Sequence, residues 1–170
     1  MQDFLAIYEA HKDLVFSLAF HHVQNQEDAE EIMQDVFLRI HAKHKDFREE
    51  SSLKTWIYRI TVNRCIDYLR SKQRKDALKA LFFFAEKNTR ENNTWNHPGF
   101  ALEQQESVKF IFDEINKLSP QQKSALLLVK IEGLSMKECA SVLGISEKAV
   151  ESLLSRAKSK LKINIIFEGK

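Results

Sequence analysis

Four glycines and two prolines are spread over 170 residues, and that scarcity constrains the chain more than any other property. A sheet protein of this size reverses its backbone many times and draws on those residues to do so, so long uninterrupted helices are expected here. With 44% hydrophobic residues the chain can fill one ordinary domain or two small helical ones. The expected class is all-α: two small helical domains joined by a linker, the second containing a helix-turn-helix.

Apolar residues at three- and four-residue steps mark the helices. Phe4, Leu5, Tyr8, Leu14, Val15, Leu18 and Ala19 predict the first. A second starts near Asn25 or Glu27, with Ala29, Ile32, Met33, Val36, Phe37 and Ile40 as its stripe and an acidic opposite face. After the polar break "KDFREESS", Ser51 or Ser52 is placed to cap a third, which carries Leu53, Trp56, Ile57, Ile60, Ile66 and Leu69 on its buried stripe. From Ser71 the periodicity degrades, and Asn, Thr, Pro and Gly crowd the stretch before Gln105. The layout is therefore a domain over 1–75, a linker over 76–105 and a domain over 106–170. Within the linker the "LFFF" run is expected to dock on a domain or a partner, because three adjacent phenylalanines in water would be adhesive. In the second domain Val108, Ile111, Phe112, Ile115 and Leu118 predict one helix. Ser119 and Pro120 open the next in cap-then-proline order, and Gly133 closes it.

The formal charge of +2 hides a strong segregation. Residues 1–42 hold 2 basic and 8 acidic side chains, residues 43–75 hold 10 basic and 4 acidic, and residues 146–162 hold 5 basic and 2 acidic. Separate fields of opposite sign suit more than one partner. Cys65 and Cys139 fall inside helices in different halves, so no disulfide framework can be drawn and a reducing cytosol suits them. No run of 18 apolar residues occurs and the N-terminus lacks the order of a signal peptide, so a soluble, cytoplasmic protein without membrane insertion is expected.

The stretch "SMKECASVLGISEKAVESLLSRAKSKLK" has the layout of a DNA-reading helix-turn-helix. Such a unit needs a small residue where its helices cross, a turn residue able to take a left-handed conformation, and apolar residues that hold the crossing. Ala140, Gly144 and Val150 fall at the fifth, ninth and fifteenth positions counted from Met136. Cys139, Leu143 and Ile145 fill inner positions, Ser146 caps the second helix, and Leu154, Ala157 and Leu161 continue its buried side. Its outer face presents Lys148, Ser152, Ser155, Arg156, Ser159 and Lys160, groups suited to base edges and phosphates. The middle of the chain differs: "FREESSLKTWIYRITVNRCIDYLRSKQRK" interleaves Phe47, Trp56 and Tyr58 with Arg48, Lys54, Arg59, Arg64 and Arg70. Stacking groups mixed with phosphate-binding charge suit unpaired bases, although the spacing of Trp56 to Ile60 marks Trp56 itself as core.

In this order, these segments resemble the RNA polymerase sigma factors of the extracytoplasmic-function group of the sigma-70 family. The segment "DAEEIMQDVFLRIHAKHKDFREESSLKTWIYRITVNRCIDYLR" resembles region 2, and "LSPQQKSALLLVKIEGLSMKECASVLGISEKAVESLLSRAKSKL" resembles region 4. The resemblance implies a factor that binds core RNA polymerase and directs promoter-specific initiation, melting the −10 element with its first domain and reading the −35 duplex with its second. Gln34, Asp35, Phe37 and Leu38 match the polymerase-binding pattern. Trp56, Tyr58, Arg59, Asn63, Arg64, Asp67 and Arg70 match the −10 part, and the loop from Phe47 through Arg48, Ser51, Ser52, Leu53 and Lys54 to Thr55 matches the one that captures a flipped base. Ser146, Glu147, Lys148, Glu151, Ser152, Ser155, Arg156, Ser159 and Lys160 match the −35 recognition helix. Glu151 and Leu153 stand where the family often has basic residues, and the tail "INIIFEGK" is more apolar than the pattern.

The implied partners are core polymerase, promoter DNA as duplex and single strand, and an anti-sigma factor; no cofactor and no catalysis are expected. A repressor or activator using the same helix-turn-helix would account for residues 119–162 but not for the aromatic-basic cluster. A zinc enzyme built on His21, His22, His41 and His44 lacks carboxylate or thiolate partners at fixed spacing.

Overall fold

The computed structural model describes residues 3–44, 52–82 and 102–161, with side chains left aside over 79–82 and 102–107. Phe47, Arg48, Ser51, the phenylalanine run, most of the linker and the tail "INIIFEGK" therefore lie outside the described side chains. Every regular element among the described residues is helical.

Three helices build the first unit: α1 (Phe4–Val23), α2 (Gln26–Lys43) and α3 (Leu53–Phe82). Gln24 ends α1 in the left-handed region at φ 54°, its N–H bonded to Phe20 O at 2.7 Å. The next residue, Asn25, starts α2 by accepting from Asp28 N at 2.8 Å, so two adjacent polar residues make the reversal. Ser52 caps α3, its Oγ accepting from Thr55 N at 3.1 Å. Ile7, Val15 and Ala19 of α1, Ile32, Val36 and Ile40 of α2, and Ile57 and Cys65 of α3 close one core between them. α3 does not stop where the sequence pattern weakens but continues past residue 75 to Phe82. The polar run after Ser71 is rich in Lys, Arg, Gln and Ala, all good helix formers, and that propensity carries the helix without a buried stripe.

The second unit comprises α4 (Leu102–Ile115), α5 (Pro120–Leu126), a π-helical turn over Leu127–Ile131, α6 (Met136–Leu143) and α7 (Glu147–Lys160). Ser119 opens α5 with a reciprocal capping box to Gln122 and Pro120 in the first turn. Gly133 at φ 71° reverses the chain after the π turn. The core of this unit is not its own: Leu18 of α1 and Tyr58, Val62 and Ile66 of α3 enter the same cluster as Phe112, Leu126, Leu128, Val150 and Leu154. The two units are therefore packed on each other, with α3 against both α5 and α6.

Polar contacts seal this seam. Tyr58 Oη donates to Glu132 Oε2 at 3.1 Å, Arg59 Nη2 to Ser141 O at 2.8 Å and Asn116 Nδ2 to Gln24 Oε1 at 2.9 Å, while His22 Nε2 meets Ser124 Oγ at 3.0 Å.

Candidate nucleic-acid interface

Helix α6 opens with a second capping box. Ser135 Oγ accepts from Glu138 N at 3.2 Å, and Glu138 Oε2 accepts from Ser135 N at 2.8 Å. It ends at Gly144, whose φ of 67° is the left-handed turn a side chain would resist. Ser146 then caps α7, accepting from Ala149 N at 3.2 Å. Cys139, Ala140 and Val142 of α6 bury against Val150, Leu154 and Ala157 of α7, which fixes the crossing. Leu143 and Ile145 are only partly buried and line a cleft. With its apolar side held, α7 turns Ser146, Glu147, Lys148, Glu151, Ser152, Ser155, Arg156, Ser159 and Lys160 all to solvent.

The aromatic-basic stretch is placed otherwise. Ser52, Lys54, Asn63, Asp67 and Arg70 are exposed, and Leu53, Trp56, Arg59 and Arg64 are half-buried. Tyr58 is 4% exposed, under the second unit, and burial first, then the Glu132 carboxylate, raises its phenol pKa. Its ring is therefore closed to a base while the seam is intact. Arg64 faces back into its own unit, bridging Asp35 at 2.5 Å, so its charge is already matched. Arg59 holds a carbonyl of α6, which a phosphate would have to displace.

A cleft of about 570 Å³ lies between the two units. Asn63, Asp67, Arg70 and Arg39 line one side and Ala149, Ser152, Leu153 and Arg156 the other. Both proposed reading faces thus look onto the same narrow space.

On α2, Gln34 is exposed and Leu38 is 69% exposed, presenting a polar and an apolar group to a partner. Phe37 does not share that surface. It is 5% exposed, with its ring against Tyr8 at 4.7 Å between centroids, because its position in the 3.6-residue repeat falls with Ile40 and Val36 on the inner face. His41 stacks edge-on to Phe4 at 4.8 Å, and no group of three or more metal-ligating side chains occurs among the described residues.

Sequence reasoning missed the seam residues Glu132, Ser141, Lys123 and His22. The available signal was the second apolar row on α3, Tyr58, Val62 and Ile66, each four residues from the last.

The family model for sigma-70 region 2 matches residues 7–75, and that for sigma-70 region 4 matches residues 111–161. The chain belongs to the sigma-70 family. Among its relatives, the RNA polymerase sigma factor SigZ of Bacillus subtilis is 32% identical, over 84% of this chain and 75% of that one. The ECF RNA polymerase sigma factor SigG of Mycobacterium tuberculosis is 29% identical, over 94% of this chain but 48% of that one, so the chain spans about half of SigG's length. Two solved structures share the fold. The sigma factor RpoE of Bartonella quintana, in complex with the anti-sigma factor NepR, superposes with a TM-score of 0.70 at 23% identity over 99% of this chain and 98% of that one. CnrH, in complex with the cytosolic domain of CnrY, gives 0.63 at 20% identity over 98% and 89%. As an extracytoplasmic-function sigma factor, the protein directs promoter-specific transcription initiation through RNA polymerase, with core polymerase and promoter DNA as its partners. No helix among the described residues is long and apolar enough to cross a membrane.

Proposed function

We propose that this sigma factor reads the −35 duplex with the solvent face of α7, captures an unpaired −10 base with the loop entering α3 and the Asn63 face, and docks on core polymerase through Gln34, Leu38 and the acidic side of α2. The described arrangement is then its closed, resting form. The cleft carries that reading: a space of about 570 Å³ shared by both faces cannot admit a duplex whose major groove alone is about 12 Å wide and 8.5 Å deep. Elements at −10 and −35 are also separated by roughly 80 Å of B-form duplex at about 3.4 Å per base pair, so the units must part before both can engage one promoter. An anti-sigma protein that holds the units together is the inhibitory partner this reading implies. The factor works in the cytoplasm by binding, with no catalysis of its own.

Strand opening separates this reading from that of a duplex-only regulator. Holding a base outside the stack costs a few kcal/mol, offset by stacking and polar contacts. Asn63→Ala, at an exposed position, should lower permanganate reactivity of −10 thymines while −35 protection and polymerase binding persist. A template with a pre-melted −10 bubble should recover part of the lost transcription. Normal thymine reactivity in the variant refutes the assignment of Asn63, and absence of opening by the parent protein with its cognate polymerase refutes the melting role.

A further inference from the structure

The seam holds a buried amine without a counter-charge. Lys123 on α5 is 2% exposed, and its Nζ donates across the seam to the backbone oxygen of His22 and, within its own unit, to Asn116 Oδ1, each at 2.5 Å. Both acceptors are neutral. The titratable groups facing it come from every neighbouring helix. α1 supplies His22, its Nδ1 on Leu18 O at 2.7 Å, and His21, at 3.6 Å from Glu132. α3 supplies the buried thiol of Cys65 and Arg64, which is turned away onto Asp35. On α4, Glu114 is held by Lys117. None of the described carboxylates pairs with Lys123.

An ammonium buried against neutral acceptors is costly, whereas the same group in water is not. We propose that Lys123 is a proton-operated latch: closing the seam expels a proton from its amine, and acidification drives the two units apart. Burial lowers the amine to about 7 in the closed form, with Cys65 opposing, against an ordinary value of 10.5. Between those two values the parted form binds more protons than the closed form, so the open-to-closed ratio rises as pH falls and levels off below about 7. His22, held down to about 3 chiefly by burial, adds uptake only below its ordinary value of 6.5. Cys65, pushed up to about 12 by burial from 9.0, responds in the opposite sense and only toward alkaline pH.

The latch rests on the closed arrangement as the resting form, and its test reads the separation of the units rather than transcription, so its failure leaves the promoter assignments standing. In the full chain, a dye pair at Glu27→Cys on α2 and Lys137→Cys on α6, both exposed positions, reports that separation; the native thiols are buried. From about pH 8.5 to about pH 7 the open-to-closed ratio should rise on the order of 10-fold. Lys123→Gln and Lys123→Met should stay closed and flat over that window while retaining the His22 response below it. A flat parent, or the parent's slope in both variants, overturns the latch. If circular dichroism shows the variants unfolded, nuclear magnetic resonance of the Lys123 side chain in the parent decides: a midpoint near 7 supports the latch and one near 10.5 overturns it.

Discussion

Helices α3 and α7 are both proposed to meet promoter DNA, yet they divide their surfaces differently. α7 buries a single row, Val150, Leu154 and Ala157, flanked by half-buried Ala149 and Leu153, and leaves its polar face exposed. α3 buries two. Ile57, Thr61 and Cys65 point into the three-helix unit, and Tyr58, Val62 and Ile66 point into the neighbouring one. A helix with one apolar row is oriented by its core and keeps its polar face exposed; a helix with two is sandwiched, and between Trp56 and Arg70 the exposed positions are Asn63, Asp67 and Arg70. In the closed form the exposed α7 face still looks onto the cleft, whereas Tyr58 of α3 is covered by direct contact; parting the units clears the first and uncovers the second.

The sharpest way to break this contrast is Val62→Asp. A carboxylate in the dry seam should cost about 3 kcal/mol or more, and parting the units avoids that cost while their helices persist. Small-angle scattering should show an expanded chain with unchanged helicity; a compact variant would mean the seam tolerates charge. Arg156→Ala acts on the open helix alone. It should weaken −35 duplex binding by about 1–3 kcal/mol with loss of base discrimination, or equally on all sequences if the guanidinium holds only phosphate. Footprinting of the polymerase complex distinguishes the two. The mildest change, Tyr58→Phe, deletes the hydroxyl bond to Glu132 and should weaken closure by about 1 kcal/mol. Its signature is a small rise in the open fraction with helicity unchanged, and a rise no larger than the scatter between preparations would remove that bond from the account.

The sequence made α7 legible because everything that defines it is local. A serine cap, a left-handed glycine and one apolar row lie within a few turns, and each has a single stereochemical use. The assignment of α3 to one buried stripe was incomplete for a physical reason. Tyr58, Val62 and Ile66 recur at helical spacing just as Ile57 and Cys65 do, but periodicity reports that a face is apolar, never which partner covers it. Tyr58 looked like a stacking group, and it sits beneath Glu132 because the residue that follows the π turn supplies the acceptor from 74 residues away. Phe37 is buried as well. It fell within a polymerase-binding pattern, while its own repeat with Val36 and Ile40 already placed it inward. The charge of Asp35 was legible, but its partner Arg64 on the next helix was not.

The π turn at Leu127–Ile131 gives the molecule an unusual sensitivity to length. There the chain takes a wider turn, with Glu132 N bonded to Leu127 O at 3.0 Å, five residues back. Each residue of an α-helix advances the side-chain direction by about 100°, so one residue accommodated in the bulge sets the heading of everything immediately beyond it. Glu132 reaches Tyr58 and His21 from that heading. Deleting a single residue here would leave every apolar type and nearly every charge in place, yet swing the carboxylate away from its partners. For this seam a one-codon change in spacing outweighs many changes of residue type.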